Sequence, residues 1–394
     1  MQRGKRLIIR LGWAALLITA AVPASGADDT AKAIATIKAV TREGKGNDAA
    51  GPAWKALVAQ GPAALFPTLE AIDDANPTAA NWLRTAVDAI AENEMKAGRT
   101  LPADKLEAFV TNTKFAPSAR RLAFELLVKQ NPEAKDRLLP RFLDDPSADL
   151  RRDAVAAEFG RASDKADLQK VLSFARDKDQ IEAIARKLED DYKLKVSISE
   201  HFAFVTHWHL IGPFDSAEGK ALTLSYPPEK AKDTTGKFKG KGGEQLTWKP
   251  HVTTDKYGVV NLNKAVGKHK DAAVYALAVL LAEKETPCEI RVGCINAIQI
   301  FLNGAKLFER EEYHHGMPMD HNVAKGTLAR GANVIVLKVC QNNQTDSWAQ
   351  DWMFQLRVCD ATGGPLPGVK QVVSDGDKMA LIKLGHIPAT EEKK

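Results

Sequence analysis

From about Ala31 to Tyr192 apolar residues recur at three- and four-residue steps, and Ala, Leu, Glu and Lys dominate, which predicts amphipathic helices. Breaks fall at short intervals: Gly61-Pro62, Asn76-Pro77, Ala116-Pro117, Asn131-Pro132 and Asp145-Pro146. After Lys195 the period shortens to two. Glu289-Ile-Arg-Val and Phe354-Gln-Leu-Arg-Val alternate apolar with polar, and Ala273–Leu281 is a continuous apolar run of strand type. Ile298-Gln-Ile-Phe-Leu runs into Asn303-Gly304, a two-residue hairpin signal, and Lys306-Leu-Phe-Glu returns from it. About eight to ten short strands and no long helix are expected in this half, the composition of an antiparallel jelly-roll β-sandwich.

The helical half repeats weakly. Ala-Asn-Trp-Leu-Arg-Thr-Ala at 80–86, Ala-Arg-Arg-Leu-Ala at 119–123 and Leu-Arg-Arg-Asp-Ala at 150–154 each follow a proline closely. Their last alanines, Ala86, Ala123 and Ala154, stand 37 and 31 residues apart, and Ala183 continues the series after 29. That period suits paired short helices stacked as a solenoid, because one helical hairpin cannot bury its own apolar face. A non-repetitive helical bundle is the alternative. The stretch Asp145 to Val155, D-P-S-x-x-L-R-R-x-A-V, resembles HEAT-like repeats.

Three stretches of the second half, W-H-L-I-G-P-F at 208–214, I-Q-I-F-L-N-G-A-K-L-F at 298–308 and L-A-R-G-A-N-V-I-V-L-K-V at 328–339, look like the galactose-binding-like sandwich fold. The order, HEAT-like α-solenoid followed by antiparallel jelly-roll β-sandwich, is similar to secreted multidomain proteins of planctomycete-type bacteria. These motifs are structural: Asn303-Gly304 makes a turn and Gly331-Ala-Asn333 opens a strand. The resemblance therefore implies a fold more than a ligand. The expected organisation is a signal peptide at 1–26, helical repeats at 27–195, a sandwich at 196–370 and a tail at 371–394.

Composition adds the compartment. The 394 residues are 44% hydrophobic and 27% charged, the balance of a globular protein of two or three domains. The formal charge of +5 hints at polyanion binding. However, Arg3, Lys5, Arg6 and Arg10 precede an apolar run, Leu11 to Pro23, and a small-residue exit at Ala24 to Ala27, the three parts of a secretory signal. About 13 apolar residues are too few to span a bilayer. Removing 1–26 leaves 51 cationic against 50 anionic side chains, so nucleic acid is not an expected partner. Export to the periplasm or exterior is expected, with no membrane span.

Candidate chemistry is sparse. There is no G-x-S-x-G or H-E-x-x-H, and G-K-F-K-G-K-G-G at 236–243 lacks the ending of a phosphate loop, so it reads as a solvated lysine-rich loop. Glu309 to His321 packs imidazoles and carboxylates between strands, with Glu311, Tyr313, His314 and His315 as candidate ligand contacts. A metal at His314, His315, Asp320 and His321 is the minority reading, and no cofactor is assigned. His207 and His209 share a strand face and read as packed rather than as a metal pair. Carbohydrate recognition asks for flat aromatic faces beside hydrogen-bonding groups. Trp348, Trp352, Asn343, Gln344, Asp346 and Asp351 supply such a set in one loop. Either tryptophan also suits a packing role, Trp352 more so. Cys288, Cys294, Cys340 and Cys359 allow two disulfides in three connectivities or buried thiols, and at least one disulfide is expected.

The sequence thus points to an exported, non-catalytic protein with a helical surface for a protein partner and a sandwich that recognises a glycan. Its alternatives are a purely structural scaffold without a sugar site and, less favoured, a metal-dependent hydrolase or lyase.

Overall fold

The computed structural model describes residues 24–216, 219–229 and 236–373. The expected signal segment falls outside these residues but for its last three positions, and so does the tail beyond Val373. The chain divides into two compact units, Met1–Arg137 and Leu138–Lys394. The passage from helices to strands therefore lies inside the second unit.

The first unit is helical: α1 (Ala24–Lys38), α2 (Asn47–Ala59), α3 (Leu65–Glu70), α4 (Pro77–Lys96), α5 (Ala103–Thr111), α6 (Pro117–Gln130) and α7 (Glu133–Leu138). Proline marks the starts. Pro77 takes the first position of α4, where its missing N–H costs nothing, and Asn76 caps the helix by accepting from Thr78 N (3.0 Å) and Ala79 N (3.1 Å). Ala79, Leu83, Ala86, Val87 and Ile90 then fall on one buried face. In α6 the fully buried Arg120 donates from Nε to Val110 O (2.7 Å), satisfying a carbonyl at the end of α5.

The second unit opens with α8 (Ala148–Arg161), α9 (Lys165–Phe174), α10 (Lys178–Tyr192) and α11 (Ile198–His201). Ala154 on α8 is fully buried, as Ala86 and Ala123 are on α4 and α6. The series ends there: Ala183 on α10 is exposed and Ile184 holds the buried position.

Strands follow: β1 (His207–Asp215), β2 (Phe238–Lys239), β3 (Gln245–Leu246), β4 (Lys249–Val252) and β5 (Val260–Asn261), with the short α12 (Leu262–Ala265) after them. Next come β6 (Ala272–Ala282), β7 (Thr286–Cys294), β8 (Ala297–Leu302), β9 (Ala305–Arg310) and β10 (Asn322–Leu328). The set closes with β11 (Gly331–Gln341), β12 (Met353–Cys359) and β13 (Val369–Gln371). One antiparallel sheet runs β4-β1-β6-β11-β8-β9, with β13 also on β6; a second runs β10-β7-β12-β5; β2 and β3 pair separately. The Asn303-Gly304 turn forms as expected, both residues at positive φ (50° and 83°), between β8 and β9.

Burial on two faces explains why β6 lacks alternation. Val274, Ala276, Ala278 and Leu280 pack toward the four-stranded sheet with Trp208, Ile290, Val292, Phe354 and Leu356. Ala273, Tyr275, Leu277 and Val279 pack on the other side against Phe214, Leu222, Leu246 and Trp248. Helices α8 to α10 form a third cluster with Phe202, Phe204, Tyr257 and Met319. Residues 203–205 tie that cluster to the sheet, with Val205 N donating to Leu356 O (2.9 Å) and Ala203 O accepting from Val358 N (3.3 Å); Lys256 also pairs with Glu182 of α10 at 2.7 Å.

The expected disulfide is a correction. All four cysteines are buried free thiols. In the ladders Cys288 opposes Gly326, Cys294 opposes Phe354, Cys359 opposes Glu289, and Cys340 opposes Ala273 and Ala297, so no two meet across a pair of strands. Burial pushes the Cys294 and Cys340 thiols up to about 12, which leaves them unreactive.

Because α8 to α10 bury side chains of the β half, a fragment of residues 138–373 is expected to unfold cooperatively, whereas 196–373 should lose stability. Uncovering Phe202, Phe204 and Tyr257 costs roughly 1.5–3 kcal/mol for each fully exposed ring. Thermal unfolding of the two fragments checks this; equal Tm values would show that the helices contribute nothing to the sandwich.

Candidate functional site

Two loops meet at one end of the sandwich: residues 311–321, between β9 and β10, and residues 342–352, between β11 and β12. The first is anchored at both ends by charge. At its start Arg310 donates to Asn322 Oδ1 (2.6 Å) and to Glu312 Oε2 (2.5 Å). At its end Asp320, at φ 61°, accepts from Arg357 Nε (2.7 Å) and Arg357 Nη2, and from Arg291 Nη1 (3.0 Å). Both arginines project from the outer face of the four-stranded sheet, and Arg357 is almost wholly buried. Between these anchors the loop crosses β7 at Gly293, where a Cβ would come within 2.9 Å of Pro318 O.

The second loop is braced by short-range hydrogen bonds. Asn342 Oδ1 accepts from Gln344 N (3.2 Å), and Asn342 Nδ2 donates to Gln344 Oε1 (2.9 Å). A single turn of 3-10 helix, Ser347–Ala349, follows Asp346, whose carbonyl accepts from Ala349 N (3.0 Å) and Gln350 Nε2 (2.7 Å). Lys270 Nζ donates to Ala349 O (2.6 Å), and Lys241 Nζ holds the Lys270 and Asp271 carbonyls at 2.8 and 2.7 Å. Lys241 of the lysine-rich loop is thus a brace, while Lys237 and Lys239 are exposed; Lys230 and Lys232 lie outside the described residues.

On that turn Trp348 is 62% exposed. Its indole stands edge-on to His314, ring centroids 5.6 Å apart at 84°, and His314 Nε2 lies 2.6 Å from Asn342 Oδ1. Tyr313 is half-buried against the outer core of the larger sheet. The fold therefore joins both candidate loops in one cluster of Tyr313, His314, Asn342, Gln344 and Trp348, with Asn343 and Asp346 exposed beside it.

Other candidates fall elsewhere. Trp352 is a correction: it is fully buried and shares the inter-sheet core with Phe354, in phase with Leu356 and Val358, so it offers no face to a ligand. His315 packs its ring on His321 at 4.9 Å, and its Nδ1 donates to Gly316 O (2.7 Å). Glu311 and Asp351 are exposed. The would-be metal set does not converge: Asp320 sits on two arginines, His314 on Asn342, and only His315 and His321 meet, with His321 also beside Arg310. Among the described residues no three His, Cys, Asp or Glu side chains converge as a metal set. His209 is buried within β1, and His207 Nδ1 lies 3.0 Å from Thr206 Oγ1.

Sequence reasoning passed over Asn342 in favour of Asn343. The signal was available, since an Asn two residues before a turn position readily accepts from the backbone N–H ahead of it. It also missed Lys338, buried on β11, which donates to Leu222 O (3.1 Å) and Leu224 O and pairs with Glu229 at 2.9 Å. Burial alone would raise the Glu229 carboxyl; hydrogen bonds from Tyr275 and Lys338 reverse this and leave it below the usual range.

Asp320 follows the same pattern. Burial alone would raise its carboxyl, but the Arg357 and Arg291 guanidiniums outweigh it and hold the group below the ordinary carboxylate range. A depressed carboxylate stabilises the fold above its unfolded-state value, about 3.9, and that contribution is lost as pH falls through the folded value. Asp320→Ala, which strands Arg357, is expected to cost about 3–5 kcal/mol at pH 7, and the gap from wild type should narrow below about pH 4. Urea unfolding across that range checks it; a pH-independent gap contradicts it.

No protein-family model matches the chain, and no curated protein matches it. Among solved structures it is similar to a β-glucosidase from Kluyveromyces marxianus in complex with glucose, at 13% identity over 43% of this chain, TM-score 0.25; the match spans 17% of the glucosidase. The PA14 domain of the MpAFP antifreeze protein matches at 14% identity over 44% of this chain and 71% of its own, TM-score 0.21. A family 35 carbohydrate-binding module from an environmental isolate matches at 16% identity over 29% of this chain and 88% of its own, TM-score 0.18.

Proposed function

We propose that the chain is an exported, non-catalytic binding protein that recognises carbohydrate at the end of its sandwich, through the loop cluster around Trp348. The observation that carries this reading is the indole itself: 62% exposed, yet seated on a braced turn beside the fixed amides of Asn342 and Gln344. A large aromatic face left in water at a braced position costs solvation unless something covers it, and a pyranose ring offers a matching apolar face rimmed by hydroxyls. Asn343 and Asp346 stand ready to bond such hydroxyls from the rim. The reading needs no cofactor and assigns no catalytic residue. Export rests on the basic start, apolar run and small-residue exit of residues 1–26. No helix among the described residues is long and apolar enough to cross a membrane. The helical half, read as HEAT-like repeats, would offer a surface to a protein partner.

A scaffold reading is favoured by the same exposed tryptophan, since tryptophan is also a common anchor of protein interfaces. The two separate in one experiment. The full chain and Trp348→Ala are tested for retention on cellulose, chitin, xylan, mannan, galactan and pectin. Carbohydrate binding predicts retention on at least one, weakened about tenfold or more by the substitution, the equivalent of roughly 1.4 kcal/mol. Stability should stay within about 0.5 kcal/mol, because the residue is exposed. No retention on any polysaccharide, with a protein partner lost on substitution, would establish the scaffold instead.

A further inference from the structure

The hydrogen-bond pattern around Asn342 identifies the donor in its contact with His314. Gln344 N is a backbone donor with no acceptor capacity, so the Asn342 atom facing it at 3.2 Å is the oxygen. The amide nitrogen on the other branch donates to Gln344 Oε1 at 2.9 Å, which is consistent. His314 Nε2 lies 2.6 Å from that same oxygen and must therefore carry a proton. Its Nδ1 is buried with no hydrogen-bond partner among the described residues. This geometry places a hydrogen on Nε2, donated to Asn342 Oδ1.

The backbone adds a second observation. His314 sits at φ 57°, the left-handed region that Gly adopts freely and other residues adopt uncommonly, histidine more often than most. A strained residue persists where its surroundings over-determine it. Here one side of the ring is fixed by Asn342, and the ring meets Trp348 edge-on at 5.6 Å.

We infer that His314 is a positioning residue for the Trp348 indole: it carries the hydrogen bond that locks loop 311–321 to loop 342–352, and it acts on a ligand through the indole. For its consequence in binding, this rests on the carbohydrate reading above. The test uses the full chain and two variants. His314→Gly removes the donor while relieving the positive φ, so its Tm should not fall. His314→Gln keeps a nitrogen donor of similar reach.

In ligand-free protein, long-range proton–nitrogen NMR should show the Nε2–H tautomer, and the Trp348 indole N–H signal should shift and broaden in the Gly variant but not in the Gln variant. On a polysaccharide that the wild type retains, the Gly variant should bind roughly tenfold more weakly and the Gln variant within about threefold of wild type. The inference is overturned by an Nδ1–H tautomer, by an indole signal indifferent to His314→Gly, or by full binding in the Gly variant where Trp348→Ala abolishes it. If no polysaccharide is retained by wild type, the carbohydrate reading fails, and the ligand-free indole comparison still decides the role of His314.

Discussion

Arg357 places a full charge on the outer face of the four-stranded sheet, almost out of contact with solvent, and a buried charge is tolerated only with a partner in good geometry. Asp320 supplies that partner through two contacts to Arg357 and a third to Arg291. The ion pair contributes less as net stability than as a fixed point, since replacing such pairs by apolar residues is often neutral whereas breaking one is costly. Asp320 ends loop 311–321, so its position sets the path of the loop across Gly293 and, six residues earlier, the place of His314. The exposed indole of Trp348 is oriented through that chain of contacts.

The same demand for coverage shapes the rest of the second unit. Both faces of β6 are buried, one by the opposing sheet and one by the segment from Phe214 to Trp248. Helices α8 to α10 cluster with Phe202, Phe204 and Tyr257, which makes them part of the β unit although their sequence is of one kind with the helices before them. Lys338 belongs to this logic as well. It faces away from the inter-sheet core under the 222–229 segment, where Glu229, two carbonyls and the ring of Tyr226 at 5.0 Å replace water around the ammonium.

What was legible in the sequence was what local physics decides. Asn303-Gly304 needs positive φ at both positions and announced its own turn. The alternation of Phe354, Leu356 and Val358 already placed Trp352 in phase with the core, whereas Trp348 is exposed because it sits on the 3-10 turn before the strand begins. Partnerships across long separations were not legible. Glu229 lies 109 residues from Lys338 and Asp320 lies 37 from Arg357, and nothing near either cation marks its acid. The meeting of the histidine loop with the tryptophan loop was hidden for the same reason, because it depends on β9 and β11 flanking β8 and finishing at the same end of it. Cysteine count misled because parity says nothing about register, and the ladders set every thiol against another residue type.

The most direct measurement is protection of one indole. The full chain is oxidised under limiting N-bromosuccinimide, alone and with a saturating amount of a polysaccharide that it retains, and each tryptophan is followed by peptide mass spectrometry. Trp348, at 62% exposure, should be oxidised ahead of the fully buried Trp208 and Trp352, and the polysaccharide should slow its oxidation selectively. Oxidation of Trp348 at an unchanged rate under saturating polysaccharide would contradict carbohydrate binding at this indole.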